Sequence, residues 1–244
     1  MTPRLTFATA GRVLRQVRHD PRTIVLLVVV PALLIGLLAW IFDATGVFQH
    51  VGPAMLGLFP FIVMFLVTSI TTLRERRSGT LERLLAMPLG KGDFIGGYAL
   101  AFGLLAIIQA LAAVAYSVWV CGLTTKSSIW LLVLVAAVNG LLGTMLGLLA
   151  SAFASTEFQV VQFMPVFVAP QILLGGIFIA RSQMPDALHI ISDWLPLSHS
   201  IDALNDVTTK TDATGDVLVQ VAIVAAFAIA ALILAALTLR RRTR

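Results

Sequence analysis

Six long apolar runs alternate with short polar stretches along the chain, at residues 24–42, 51–73, 94–120, 129–153, 158–180 and 217–239. Each is near or above the roughly 20 residues that an α-helix needs to cross a hydrocarbon core. The polar breaks at 43–50, 121–128 and 154–157 are short, which predicts antiparallel hairpins between neighbouring spans. The predicted fold class is all-α integral membrane, with six transmembrane helices in a single domain over residues 1–244.

Three segments outside the spans carry a different pattern. In residues 4–19, Leu5, Ala8, Val13, Leu14 and Val17 interleave with Arg12, Arg15 and Arg18, which predicts an interfacial amphipathic helix at the membrane surface. Contact with a cytoplasmic partner fits the same pattern. Residues 182–206 keep Leu188, Ile191, Trp194 and Leu195 at helical spacing, break at Pro196 and resume with Ile201 and Leu204. This predicts a short external, re-entrant helical hairpin before the last span, with Trp194 at headgroup level, followed by a polar loop to Gly215.

The third segment is TTLRERRSGTLERLLAMPLGKG, residues 71–92. Ser78 and Gly79 are N-cap residues for a short helix with Glu82 in its first turn and Pro88 at its end. Leu81, Leu84, Leu85 and Pro88 share one face, while Glu82, Arg83 and Ala86 lie largely off it. A helix shorter than about 12 residues is marginal in water. It therefore needs a surface, either a partner protein or lipid headgroups.

Composition agrees with the span pattern: 59% of residues are hydrophobic and 12% charged, with mean hydropathy +0.96, far from the roughly 25% charged of soluble domains. A pI near 10.1 suggests nucleic-acid binding until the basic residues are located. Fourteen of the 17 fall before the first span, between the second and third, or after the sixth. An even number of crossings puts all three clusters on one side. By the positive-inside rule both termini are then cytoplasmic in a multi-pass protein, and no nucleic acid is implied. The first apolar run is too long for a signal-peptide core and is expected to stay as an anchor. The lone Cys121 has no partner for an internal disulfide.

Little side-chain chemistry is visible within the spans. No Asp, Glu, Lys or Arg lies near the middle of any span, where it would mark a proton relay or ion site. Gln109, Asn139 and Gln171 read as interhelical hydrogen-bond partners. Ala136, Gly140, Thr144, Gly147 and Ser151 form a small-residue side of the fourth span, and Gly143 with Gly147 makes a G-x-x-x-G. That face fits close packing inside one subunit or across a dimer. Phe61, Phe65, Thr68 and Thr72 align on the second span, and Phe163, Phe167, Pro170 and Leu174 on the fifth; such stripes suit either packing or a substrate wall. His189, His199, Asp193 and Asp202 cluster outside, as a metal site or as ordinary surface. H-E-x-x-H, G-x-S-x-G and the phosphate-cradling G-x-x-x-x-G-K-[ST] are all missing. If ATP drives this protein, another chain hydrolyses it.

RERRSGTLERLLAMPL after the second span resembles the cytoplasmic motif of ABC transporter type-2 permeases. LPLSHSIDALND, residues 195–206, resembles a second segment of that family just ahead of the last span, although relatives often carry an aromatic and a basic residue where His199 and Asn205 stand. The resemblance implies a permease subunit, not an enzyme, paired with a second permease subunit, identical or homologous. Two copies of a separate ABC ATP-binding subunit would bind ATP and Mg, so this chain needs no cofactor or metal of its own.

By the same resemblance Arg74, Glu75, Arg76, Arg77, Gly79, Thr80, Leu81, Glu82, Arg83, Leu85, Pro88 and Leu89 belong to the ATPase-coupling segment, a cytoplasmic coupling helix within residues 74–92. The second and fifth spans would line a substrate path through Phe61, Phe65, Thr68, Gln162, Phe163, Phe167 and Gln171. The expectation is outward export of an amphipathic drug, antibiotic or lipid-like molecule across a bacterial cytoplasmic (inner) membrane. A secondary transporter or channel, or a membrane enzyme or scaffold, are the rival readings.

Overall fold

The computed structural model describes residues 2–42, 46–78, 90–179 and 181–238. The described residues are helical and contain no strand. In chain order the helices are α1 (Pro3–Arg18), α2 (Pro21–Ile41), α3 (Phe48–Arg77), α4 (Lys91–Trp119), α5 (Ile129–Phe153), α6 (Glu157–Leu174), a 3₁₀ turn (Arg181–Gln183), α7 (Asp186–Asp193), α8 (Pro196–Thr209) and α9 (Thr214–Thr238). Six of them, α2 to α6 and α9, are long and apolar enough to cross a membrane.

Local chemistry sets several helix ends. Asp20 accepts the backbone N–H groups of Arg22 and Thr23 and the Thr23 hydroxyl, capping α2 with Pro21 in its first turn. Thr156 accepts the N–H of Gln159 at 3.2 Å and starts α6. Two ends depart from the apolar pattern. The second span continues through the charged run to Arg77, and Ser78 closes that helix: its N–H bonds the carbonyl of Arg74 and its hydroxyl that of Glu75, while the short helix expected after it lies outside the described residues. The fifth span stops at Leu174, short of the expected 180, with Gly175 at the cap and Gly176 at φ 86°. The polar stretch expected to be loop from 206 remains helical to Thr209.

α3 is the axis of the bundle, with 72% of its apolar window buried, against 17% for α2, 17% for α6 and 22% for α9. The G-x-x-x-G of α5 explains the tight α3–α5 contact. A Cβ at Gly143 would lie 2.4 Å from the Phe61 carbonyl oxygen, and one at Gly147 would lie 2.6 Å from that of Phe65. The small-residue face therefore packs inside the subunit. Farther along the same face Gly140 meets Ala106 of α4 as well as Met64 of α3, and α9 also runs along α5.

α7 and α8 lie at the end of the bundle away from the termini, as a helical pair over α3, α6 and α9. Asn139 of α5 donates to the Gly57 carbonyl of α3 and accepts from Ser200 of α8 at 3.0 Å, so the expected interhelical role is realised. Gln171 donates to the Phe167 carbonyl at 2.6 Å and accepts the Leu197 N–H at 3.1 Å. Gln109 differs: it is buried, and neither side-chain atom has a hydrogen-bond partner among the described residues.

Candidate functional site

Two groups of residues were singled out by the sequence, the coupling segment and the substrate path. Gly79, Thr80, Leu81, Glu82, Arg83, Leu85, Pro88 and Leu89 lie outside the described residues. The structure does describe the two helix ends from which that segment hangs, α3 at Arg74–Ser78 and α4 at Gly90–Asp93.

Both ends are tied to α1. From α3, Glu75 accepts from Arg12 at 3.0 Å, and its side chain is only 7% exposed. The same guanidinium donates to the Tyr98 hydroxyl of α4 at 3.1 Å and lies 5.9 Å from that ring's centroid. From α4, Asp93 accepts the Thr2 N–H at 2.6 Å and the Thr6 hydroxyl at 3.2 Å, and its other oxygen takes the Gly90 N–H at 3.1 Å. One carboxylate thus serves the N-termini of both α1 and α4, where helix dipoles favour negative charge. Between these anchors Gly97 lets α1 approach closely, since a Cβ there would sit 2.5 Å from that of Thr9.

α1 therefore buries Thr6, Thr9, Ala10, Val13 and Val17 against the bundle and leaves Phe7, Ala8, Arg15 and Arg18 exposed. Its buried face includes threonines that the apolar spacing did not select. The signals that would have found this contact are an acid three residues into α4, a glycine four residues later, and threonines at i, i+3 on α1.

The neighbouring charges are also engaged within the chain. Arg74 makes a two-pronged ion pair with Glu157 of α6, at 2.7 and 3.0 Å. Arg76 donates to the Ser151 carbonyl of α5. Arg77 is exposed. Arg74, Glu75 and Arg76 thus tie the end of α3 to α6, α1 and α5.

The predicted substrate-path residues come together only in part. Phe65 and Phe167 meet with ring centroids 5.9 Å apart, joining α3 to α6. Phe61 and Thr68 are fully buried, and both flank the close α3–α5 approach at Gly143 and Gly147. Phe163 is half-buried beside Leu73, Ala154 and Val160, and Gln162 is exposed. Phe167 and Gln171 also border an open pocket of about 240 Å³ between α5, α6, the start of α8 and α9.

The His/Asp group expected outside is organised by Arg181, which donates to Asp193 and to Asp202. His199 turns away from these carboxylates, contacting the Gln220 side-chain oxygen at 2.6 Å and the Asp193 carbonyl at 2.9 Å. Burial pushes the Asp202 carboxyl above the usual carboxylate range, with Arg181 opposing the shift. No cluster of three or more metal-type ligands occurs among the described residues.

Comparison with known proteins points the same way as the two motifs. The family described as ABC-2 type transporter matches residues 4–208. A probable multidrug ABC transporter permease, YbhR of Escherichia coli, is 30% identical over 166 residues, covering 68% of this chain and 45% of the relative. The linearmycin resistance permease protein LnrN of Bacillus subtilis is 24% identical over 173 residues, covering 69% and 45%. Nodulation protein J of Sinorhizobium fredii is 26% identical over 172 residues, covering 70% and 65%. The matched stretch thus spans less than half of the YbhR and LnrN chains.

Proposed function

The chain belongs to the ABC-2 type transporter family, and from that premise we propose that it is the membrane-spanning permease subunit of an ATP-driven exporter. A second permease subunit, identical or homologous, would complete the pore, and a separate ATP-binding subunit on each would hold ATP and Mg. Both termini and the 79–89 segment would face the cytoplasm, as the basic residues favour. The observation that carries the reading is the double tie of α1 to both ends of that segment, through Arg12–Glu75 and Asp93–Thr2.

Closure of two ATP-binding subunits would push on the short amphipathic helix through Leu81 and Leu85. The push would reach α3 and α4 together, because both are fastened to α1. Since α3 contacts α6 through Phe65 and Phe167, the α3–α6 face is where the motion would open a route for cargo. A route bounded by phenylalanine and threonine, with no free charge at depth, suits an amphipathic or lipid-like molecule better than a polar sugar chain. The printed names of YbhR and LnrN, multidrug and linearmycin resistance, support that class.

The test is the double variant Leu81→Asp, Leu85→Asp in the assembled complex. Transport of an amphipathic dye into inside-out vesicles should fall about ten-fold or more, the loss of an interface anchor of roughly 1.4 kcal/mol or more, while membrane insertion is retained. ATP-dependent transport at the normal rate would overturn the proposal.

A further inference from the structure

The pocket beside Phe167 is a separate feature from the α3–α6 face. Its lining includes Leu146 of α5, Val166, Phe167 and Gln171 of α6, Pro196 of α8 and Phe227 of α9. Gln171 is the one polar side chain among the lining residues, and it already donates to the Phe167 carbonyl and accepts the Leu197 N–H, which leaves one amide N–H. The lining is otherwise apolar, so a strongly polar occupant would forfeit most of its own hydrogen bonds. The pocket's about 240 Å³ falls below the roughly 300–1,000 Å³ of a drug-sized site, so it accommodates part of a molecule. From Val166 to Gln171 it follows α6 for about 7.5 Å, five steps of about 1.5 Å each.

Position selects the occupant. The walls belong to three membrane-spanning helices, and the pocket opens beside the exposed Val166. Its upper end adjoins Leu195, next to the exposed Trp194, where an indole favours the headgroup level. A molecule entering from the side thus comes from the hydrocarbon layer, in the leaflet opposite the termini. We propose that this pocket is a binding site for one acyl chain of a membrane phospholipid from that leaflet. Phe167 is the partition: one side of its ring touches Phe65, and the residue also lines the pocket. The bound chain steadies α6, which is otherwise little buried by the bundle.

The experiment needs neither nucleotide nor an ATP-binding subunit, so its outcome is independent of the permease reading. The full chain is reconstituted in phosphatidylethanolamine–phosphatidylglycerol vesicles doped with a phospholipid carrying a diazirine in its acyl chain. It is then irradiated and peptide-mapped. Residues 166–171 and Phe227 should be labelled well above Leu33 and Leu37, which stand on the open face of α2. Leu146→Trp, which enlarges a lining side chain, should weaken that labelling about ten-fold, the effect of excluding roughly two methylenes from an apolar site. Labelling at Leu33 should not change. Val166→Trp at the rim is the second variant, tolerated because Val166 is exposed, and should act in the same direction. Labelling no greater than on α2, or unchanged in both variants, would overturn the proposal. So would displacement of the label by an equimolar amphipathic dye, or protection of these residues by a second copy of the chain.

Discussion

Gly143 and Gly147 show how much of this bundle turns on single atoms. Each faces a carbonyl of α3 at a distance no methyl group can share, so Gly143→Ala must push α3 and α5 apart. The expected cost is about 1–3 kcal/mol, as for other overpacked sites, read as a lower temperature of detergent-solubilised unfolding. Gly11→Ala is the control: nothing stands within 4 Å of its added carbon, and removing a helix glycine should stabilise by up to about 1 kcal/mol. Equal effects of the two changes would refute the packing argument. The glycine spacing was legible in the sequence, but its partner was not, because small residues announce a close approach without saying to what. Asn139 and Gln109 make the same point. As letters they are alike, yet Asn139 joins three helices while Gln109 lies buried without a partner among the described residues.

Among the elements, hydrophobic runs located all six spans, since the thickness of a hydrocarbon layer leaves little choice of length. Their ends were less legible. α3 runs on through charged residues because Glu157, Arg12 and the Ser151 carbonyl satisfy them at the membrane edge, and those partners lie far away in sequence. α7 and α8 were foreseen from their spacing, but what fastens them was not. Ser192 donates to the Leu174 carbonyl at 2.7 Å, and Arg181 grips both helices through Asp193 and Asp202. The half-buried Asp202 carboxyl already titrates above its ordinary range. A raised carboxyl pKa stabilises the fold below the unfolded value and loses that contribution as pH rises through the folded one. Arg181→Met removes the cation that holds this shift down. The melting temperature of the variant should therefore fall further below wild type as pH is raised from about 4 to about 7. A constant gap across that range would mean that Asp202 does not respond to Arg181.

At the scale of the whole molecule, the 79–89 segment stands on two legs, and α1 holds both. The sequence motif singled out the segment, and the distribution of basic residues predicts the cytoplasmic side for it. The tie itself was illegible, because Arg12, Glu75 and Tyr98 come from three helices and each has an ordinary reading alone. If ATP-binding subunits act through this segment, Arg12 and Glu75 position it without touching nucleotide or cargo. Breaking a buried pair from one side strands a charge at a cost of roughly 3–5 kcal/mol, and the cost here belongs at the lower end because the Arg12 side chain is 33% exposed. Arg12→Glu and Glu75→Arg should each lower the number of molecules transported per ATP hydrolysed in the assembled exporter. The double swap restores opposite charges across the same gap and should recover much of that ratio. A purely structural role would lower transport and hydrolysis in step and leave their ratio unmoved in the single variants. The ratio, measured alongside melting temperature, therefore distinguishes a positioning pair from a merely stabilising one.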